Sequence, residues 1–279
     1  MEFNLKETAA FGVAGNFTGH LEQAGEDKDF KNIEVKEESA PKAIFPTYIP
    51  GFCKNVPSFL GTFPFDSNEI IFPQGEQKVQ IESECAVIFS VEWDNSKIKK
   101  LKPLYFGASN DCSIRKEGAR KISEKKNWGA KTKGFSSHII PIDSFDEKGI
   151  LQNYRIASFL IRDSKVYMYG EDSAVKDYSY IYGKLTDWMI EKFNFQQDTG
   201  PAENINAYLN ECRASQILVS IGATRYTDFG EHNFLKNGDK AAVILYPGNK
   251  YTLEQITLKL RNNDLNDDDI SALVQTVIL

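Results

Sequence analysis

The chain has 279 residues, and its content of 41% hydrophobic and 12% aromatic residues is enough for a sizeable core and excludes a disordered chain. Its net charge of −6 argues against a nucleic-acid partner, because the phosphate backbone attracts basic surfaces. No apolar run approaches the length of a membrane span, and the start MEFNLKETAA does not resemble a signal peptide. We therefore expect a cytoplasmic protein with no membrane partner.

The first part of the chain combines a short strand with a long irregular segment. Residues 11–30 open with an apolar strand, turn at Gly15 and Asn16, and continue as a short helix. Residues 34–59 contain repeated prolines, so we expect a long loop over the surface.

Strands dominate from residue 69 onward. The stretches EIIF, VQIESECAVIFSVEW, LYFGASND and SSHIIPI each predict a strand. Residues 154–171 predict two strands joined by a polar turn at 162–165, and QILVSIGA and AAVILYPG predict two more.

Three helices are expected in the C-terminal half. Apolar residues at helical spacing predict an amphipathic helix across 175–195. These residues are Ile181, Leu185, Trp188, Met189 and Phe193. A second helix is expected around AENINAYLNEC, and Asn266 with the acidic residues 267–269 is expected to cap a last one. The apolar residues of that last helix are Ile270, Leu273, Val274 and Val277.

The order of these elements predicts an α+β protein with a strand-rich centre and few helices. Residues 1–68 form an N-terminal strand, short helix and long loop that pack on a core at 69–251. Residues 252–279 form a C-terminal extension, which we expect to pack on the subunit or its mate because it lacks clustered reactive side chains.

Residues 81–92 read IESECAVIFSVE, a strand that carries two like charges among core residues. Side chains alternate faces along a strand, so Glu82 and Glu84 lie on one face at its leading end, about 7 Å apart. This pattern predicts that another group neutralises them.

Asp111 is the third acidic candidate. It ends the apolar strand LYFGASND after a break at Gly107, where a side chain can project into a cleft. Three carboxylates at strand ends supply the hard oxygen ligands that Mg²⁺, Mn²⁺ and Ca²⁺ prefer. Alternatively, Glu82 and Glu84 face water on an exposed sheet and Asp111 caps a turn, and spacing alone leaves both interpretations open.

These residues belong to an ordered series of motifs. The series comprises AGNFTGH (14–20), ESE (82–84), NDCSIR (110–115), Trp128, Lys131, Pro141 and FLKNGDKAAV (234–243). In this order the motifs resemble the fumarylacetoacetate hydrolase family, whose signature is a Glu-x-Glu strand followed by an Asn-Asp-x-Ser-x-Arg turn. The resemblance covers most of the chain, from about Phe11 to Pro247.

The resemblance implies a fumarylacetoacetase-like mixed β-roll with a few peripheral helices, assembled as a homodimer, with 69–251 as its catalytic core. It also implies a Mg²⁺ or Mn²⁺ ion at Glu82, Glu84 and Asp111. Family members act on small 2-oxo acids and 1,3-dicarbonyl compounds by C–C bond hydrolysis, decarboxylation, isomerisation or hydration. The metal chelates two substrate oxygens and stabilises an enolate.

Two further roles follow from the resemblance. Lys131 supplies positive charge beside a metal-bound anion, and His20 is the candidate general base, since an imidazole titrates near neutrality. The alternatives are a solvated lysine-rich loop at 125–134 and a histidine that only hydrogen-bonds its own turn.

The chain also departs from the family pattern. The family hydrolases carry a glutamate three residues after this histidine, where this chain has Gln23. A neutral amide can orient an imidazole but cannot stabilise its cation as a carboxylate does. The segment 221–224 reads IGAT in place of the family's Thr-Gly-Thr-Pro, and Phe45-Pro46 stands in place of a Lys-Pro pair. The metal ligands are therefore complete, whereas the water-activating and substrate-holding groups are altered.

We expect a divalent-metal-dependent hydrolase or lyase of small 2-oxo acids or 1,3-dicarbonyl compounds. The first alternative is a catalytically altered family member that binds a metal or a small acid without turnover. The second is a structural subunit whose acidic trio holds no ion.

Overall fold

The computed structural model describes residues 3–30, 35–51, 53–75, 78–116 and 118–279. Its strands, in chain order, are β1 (Ala9–Ala14), β2 (Ala43–Tyr48), β3 (Glu69–Ile71), β4 (Val79–Gln80), β5 (Ser83–Asp94), β6 (Lys97–Asn110), β7 (Ser113–Ile114), β8 (Gly134–Phe135), β9 (Ile140–Pro141), β10 (Tyr154–Arg162), β11 (Lys165–Ala174), β12 (Gln216–Ala223), β13 (Lys240–Pro247) and β14 (Ser271–Ile278). Its α-helices are α1 (His20–Gln23), α2 (Tyr182–Phe195), α3 (Ile205–Cys212), α4 (Asp228–His232) and α5 (Leu253–Arg261). This composition confirms the predicted strand-rich α+β class.

Two main sheets organise the described strands. One has the order β2-β1-β12-β5-β6-β8, with β9 also paired to β6, and the other has the order β11-β10-β13-β14-β3. A small third sheet pairs β4 with β7. The largest apolar cluster takes buried side chains from both main sheets, so the core lies between them.

The long β5–β6 hairpin positions the candidate site. Its strands pair antiparallel from Ser83 opposite Asn110 to Asp94 opposite Lys97, and Asn95 takes a left-handed backbone in the connecting turn. The first seven residues of β5 are buried, because this half of the strand lies in the interior of the sheet. Both the first pair of carboxylates and Asp111 therefore fall at one end of the hairpin.

The predicted helix at 175–195 is present over its second part. A 3₁₀ turn covers Val175–Asp177, and α2 begins at Tyr182. The apolar face of α2 packs on the core, where the rings of Phe193 and Phe11 meet edge to face at 5.0 Å. The second predicted helix corresponds to α3.

The predicted last helix is wrong, because residues 271–278 form strand β14. The exposed and buried residues of β14 alternate with period two, which places Gln275 inside beside Leu273 and Val277. Leu273 and Val277 are four residues apart, a spacing that satisfies a helix and a strand equally. The helix of this region is α5, which starts with a capping box between Thr252 and Gln255.

The predicted surface loop at 34–59 contains a buried strand, β2, at the edge of the larger sheet. Pro46 suits this place, because an edge strand leaves some N–H positions without a ladder partner. Residues 34 and 52 of the predicted loop lie outside the described residues.

The first and last predicted segments each add strands to a sheet of the central segment. β1 and β2 pair with each other and β1 with β12, while β14 lies between β13 and β3. The division at 68 and 251 stays a prediction. No helix in the described part of the chain has both the length and the apolar character needed to cross a membrane.

Candidate metal centre

The three predicted carboxylates meet at one end of the β5–β6 hairpin. Glu82 and Glu84 flank Ser83, the first residue of β5, and Asp111 follows Asn110, the last residue of β6. Because Ser83 pairs with Asn110, Asp111 falls beside Glu82, and its N–H donates to the Glu82 carbonyl at 3.0 Å. One ligand oxygen from each carboxylate lies within 4.8 Å of the other two. The structure brings the trio together, and its role as a metal site stays a prediction.

The trio is buried. Glu82, Glu84 and Asp111 are 3%, 1% and 2% exposed, so the alternative of an acidic pair facing water is wrong. Removing carboxylates from water costs several kcal/mol per ion unless charged or hydrogen-bonded partners compensate. Three cationic side chains supply this compensation: Lys126, Lys133 and Arg115.

Lys126 lies between two of the carboxylates. Its Nζ atom is 2.5 Å from Oε2 of Glu82 and 2.8 Å from Oδ2 of Asp111. The residue follows a 3₁₀ turn at Ile122–Lys125 and is 2% exposed, with Nζ also 5.2 Å from the centre of the Phe45 ring. Phe45 thus contacts a lysine from elsewhere in the chain.

Lys133 contacts the carboxylate oxygen of Asp111 that Lys126 does not contact. Nζ lies 3.0 Å from Oδ1 of Asp111 and donates to the carbonyl of Cys112. Gln275 on β14 fixes this region, because its amide donates to the Lys133 carbonyl and accepts from Nδ2 of Asn110 at 3.1 Å. The C-terminal segment therefore supports the trio, although it contributes no carboxylate to it.

Arg115 ties the trio to the neighbouring segments. Nη2 lies 3.0 Å from Oε1 of Glu82 and donates to the Tyr226 hydroxyl at 2.8 Å. Nη1 donates to Glu26 at 2.9 Å and Nε to Oε1 of Gln80 at 2.7 Å. This arrangement uses the planar fork of a guanidinium, which a lysine cannot reproduce.

The pKa values of Glu82 and Glu84 shift in opposite directions. Although burial opposes ionisation, the charges of Lys126 and Arg115 hold the pKa of Glu82 well below its ordinary value. Burial, reinforced by the charge of Asp111, raises the pKa of Glu84 well above its ordinary value. Oε2 of Glu84 accepts the Gly222 N–H at 2.7 Å, and no ion pair among the described residues includes this carboxyl. Burial therefore favours the protonated form of Glu84 and the ion pairs favour the ionised form of Glu82.

His20 is buried at the first residue of α1. Its Nδ1 lies 2.9 Å from the Thr224 carbonyl, which only accepts hydrogen bonds, so Nδ1 carries the proton and Nε2 is the acceptor. Burial lowers the pKa of His20, and the negative charge of Glu82 opposes this shift. A neutral imidazole with Nε2 as acceptor has the form required of a general base.

Gln23 is bound to the backbone of Tyr226. Its Oε1 accepts the Tyr226 N–H at 2.9 Å, and its Nε2 donates to the Tyr226 carbonyl at 3.1 Å. The Tyr226 ring in turn lies 5.2 Å from the His20 ring. Among the described residues, the Thr224 carbonyl is the hydrogen-bond partner of the imidazole, and Gln23 holds the backbone of Tyr226 beside it.

The segment 221–224 packs against the trio. Gly222 has a φ of +127°, and a Cβ atom there would lie 2.9 Å from the Cβ of Asn16. Its N–H donates to Oε2 of Glu84. The Thr224 hydroxyl lies 2.9 Å from Oγ of Ser83. These groups hold the residues of β5 in place.

Lys131 lies outside this cluster. Its ammonium pairs with Glu69 at 2.5 Å and with Asp66 at 3.8 Å, and its side chain is 41% exposed. Lys131 has a left-handed backbone with φ of +58°, which turns the chain before Lys133. The positive charge beside Asp111 comes from Lys126 and Lys133. Residues 125–134 contain four lysines, and their spacing does not indicate which of them reach Asp111.

The donor set suits a hard divalent cation. Three carboxylates converge, and two of their buried oxygens, Oε1 of Glu82 and Oδ2 of Asp111, accept no hydrogen bond from the described residues. Both oxygens still lie within 3.0 Å of a cationic nitrogen, so these ion pairs have short distances but poor hydrogen-bond angles. The trio therefore fits a cation once Lys126 moves out of the space between Glu82 and Asp111.

Comparisons with solved structures support the fold. The structure is similar to that of Cg1458 with inhibitor, with a TM-score of 0.59 and 15% identity over 97% of this chain and 77% of that one. It is also similar to 2-keto-3-deoxy-D-arabinonate dehydratase complexed with magnesium and 2,5-dioxopentanoate, with a TM-score of 0.54 and 13% identity over 97% and 72% of the two chains. A third is 5-carboxymethyl-2-hydroxymuconate delta-isomerase from Mycobacterium smegmatis, with a TM-score of 0.53 and 13% identity over 97% and 78%.

These neighbours have fumarylacetoacetase-like folds, so the predicted fold is confirmed. Identities of this size establish the fold alone. No curated protein matches the sequence. A protein-family model matches residues 26–277, and its description is a family of unknown function, DUF5718.

Proposed function

This chain belongs to the DUF5718 family, a family of unknown function, and we propose that it is a divalent-metal-dependent enzyme of small oxo acids. Its substrates are 2-oxo acids or 1,3-dicarbonyl compounds, and its reaction is C–C bond hydrolysis, decarboxylation or tautomerisation. The observation that carries this proposal is the convergence of three buried carboxylates within 4.8 Å at the end of one hairpin. One structural neighbour is a dehydratase in complex with magnesium and a dioxo compound, which supports the same class.

In this proposal, Glu82, Glu84 and Asp111 hold Mg²⁺ or Mn²⁺. A bound divalent cation supplies Lewis-acid polarisation of the substrate's oxygens. Nε2 of His20 accepts a proton, because Nδ1 is committed to the Thr224 carbonyl.

The surroundings of Arg115 suit an anionic substrate. A cavity of about 360 Å³ is bordered by Glu26 and by four cationic side chains of the described residues. The four are Lys78, Arg115, Lys116 and Lys125. Because Arg115 also contacts Glu82, this cavity lies one side chain away from the trio. A small dicarboxylate that enters there meets positive charge first.

The test is a spectrophotometric screen of 2-oxo dicarboxylates and acylpyruvates with Mg²⁺ or Mn²⁺. We expect metal-dependent turnover that falls by about 100-fold or more in Asp111→Asn, since one anionic ligand of the trio becomes neutral. The exposed Asp94→Asn serves as the matched control and keeps the activity. Absence of turnover with every substrate, in protein that has bound the metal, would remove the enzymatic half of the proposal.

A second candidate is a family member that binds a metal or a small acid without turnover. Gln23 is bound to the Tyr226 backbone, and Thr224 is bound to Ser83, so both altered positions serve internal contacts. Metal binding without turnover in the same screen identifies this candidate. A structural subunit without an ion would show neither.

The homodimer expected from the resemblance stays a prediction. Light scattering after gel filtration measures the mass directly, and a mass of one chain would contradict it.

A further inference from the structure

Lys126 occupies the position from which a cation contacts two of the three carboxylates. Its Nζ atom lies 2.5 Å from Oε2 of Glu82 and 2.8 Å from Oδ2 of Asp111, and it also approaches the Asp111 carbonyl oxygen at 3.3 Å. Lys126 and both carboxylates are at most 3% exposed. The ammonium is thus enclosed with its partners.

The ion pairs of this cluster compensate its charged carboxylates without an added ion. Glu82 and Asp111 each contact two of three cationic side chains, whereas Glu84 has no ion pair among the described residues. The cations are Lys126, Lys133 and Arg115. A divalent cation placed beside all three would add two uncompensated positive charges in a buried space, where the effective dielectric is far below that of water.

A divalent cation and the ammonium also compete for the same space. Divalent cations bind carboxylate oxygens at about 2.0–2.6 Å. An ion bonded to Oε2 of Glu82 and Oδ2 of Asp111 at those distances would overlap the present position of Nζ of Lys126. The two therefore exclude each other.

We propose that Lys126 is an internal counter-ion that competes with the divalent cation for the trio. This inference rests on the proposed function and adds to it a built-in control of metal entry. In the metal-free protein the ammonium keeps the carboxylates together, and a divalent ion enters only when the Lys126 side chain withdraws. The apparent association constant for the metal then equals the intrinsic constant multiplied by the fraction of molecules in which Lys126 has withdrawn.

The remaining contacts keep the trio oriented when Lys126 is absent. Lys133 holds Oδ1 of Asp111, Arg115 holds Oε1 of Glu82, and the Gly222 N–H holds Glu84. Replacing Lys126 by a neutral side chain of similar length therefore exposes a prearranged site. Lys133 makes a suitable control, because it is equally buried but contacts the oxygen of Asp111 that Lys126 leaves alone.

The test measures Mn²⁺ binding to the full-length, chelator-treated protein by electron paramagnetic resonance. We expect Lys126→Met to bind one Mn²⁺ per chain at least about ten-fold more tightly than the wild type. Lys133→Met, which removes one positive charge without vacating the ion's position, should gain much less. Glu84→Gln added to Lys126→Met should abolish the binding.

The outcomes separate this inference from the proposed function. Equal Mn²⁺ affinity in wild type and Lys126→Met would overturn the inference and leave the metal site standing. No binding in either protein would overturn both.

A second measurement does not depend on the folding of a variant. Lysine-labelling mass spectrometry of the wild type compares Lys126 with and without saturating Mg²⁺. Expulsion by the metal predicts that Lys126 becomes reactive, whereas Lys126 that stays protected while metal binds would contradict the inference.

Discussion

Lys126 and Glu82 form a buried ion pair, with Nζ 2.5 Å from Oε2, between residues 44 positions apart in the chain. Breaking such a pair by removing one partner costs more than the pair contributes, because the remaining charge is left in a low dielectric. This pair therefore makes the stability of the metal-free protein sensitive to Glu82.

Glu82 and Glu84 are expected to respond differently to the same substitution. In chelator-treated protein at pH 7, Glu82→Gln should lower the free energy of unfolding by about 3–5 kcal/mol, because Lys126 and Arg115 both lose a partner. Glu84→Gln should change it by less than about 1 kcal/mol, because burial already raises the pKa of Glu84 and the amide imitates its protonated form. Urea titration measures both. Equal losses would contradict the opposite pKa shifts of these two carboxyls.

Arg115→Lys tests the need for a planar fork. Its guanidinium contacts four side chains, so the substitution should cost about 2–4 kcal/mol of unfolding free energy. Arg155→Lys is the control, because Arg155 pairs with Asp172 near the surface and should lose less than about 1 kcal/mol. Similar small losses in both variants would show that Arg115 is not essential to the cluster.

Gln23→Glu introduces a carboxylate near His20 and tests whether this position can serve the histidine. The carboxylate would lose the donor to the Tyr226 carbonyl and would lie close to Oε2 of Glu231, which is 3.3 Å from Nε2 of Gln23. We expect a loss of about 1–3 kcal/mol and no gain in turnover. Gln74→Glu at an exposed position controls for added charge. A gain in activity would show that the position still serves the histidine.

Glu203 predicts a pH-dependent stability away from the trio. Glu203 is 2% exposed, and its Oε1 accepts a hydrogen bond from the Ser123 hydroxyl at 3.1 Å. Its Oε2 accepts no hydrogen bond from the described residues. Burial raises the pKa of Glu203 from 4.5 to about 7. The folded state thus keeps a proton that the unfolded chain has lost, so stability falls as pH rises from about 4.5 to about 7.

Glu203→Gln cannot ionise and should remove this fall. Relative to the wild type, it should gain on the order of 2–3 kcal/mol between pH 4.5 and pH 8. Thermal unfolding across this range measures the difference, with the exposed Glu22→Gln as control. A difference that does not grow with pH would contradict the buried, neutral state of Glu203.

The local parts of the fold and site could be predicted from the sequence. Alternation along β5 placed Glu82 and Glu84 on one side, and the polar turn after Arg162 separated β10 from β11 as expected. These features depend on neighbours in the chain. Leu273 and Val277 near the C-terminus misled the prediction, since their spacing of four residues suited a helix as well as β14.

The partners of the trio could not be found in this way. Lys126 and Lys133 reach Asp111 through tertiary contacts, and within the run 125–134 each lysine has a similar local sequence. The left-handed backbone at Lys131, which sends that side chain toward Glu69, has no signal in an Ala-Lys-Thr sequence. The contact of Gln275 with Asn110 could not be predicted either, because it depends on β14 lying beside the trio.

The most direct test of the account is an anomalous difference map at the manganese edge, from crystals of the wild type and of Lys126→Met grown with Mn²⁺. We expect a peak within about 2.0–2.6 Å of an oxygen from each of Glu82, Glu84 and Asp111. In a wild-type crystal that shows this peak, the Lys126 side chain should have withdrawn from the trio. A map without a peak at the trio in either crystal, with Lys126 still between Glu82 and Asp111 in the wild type, would contradict it.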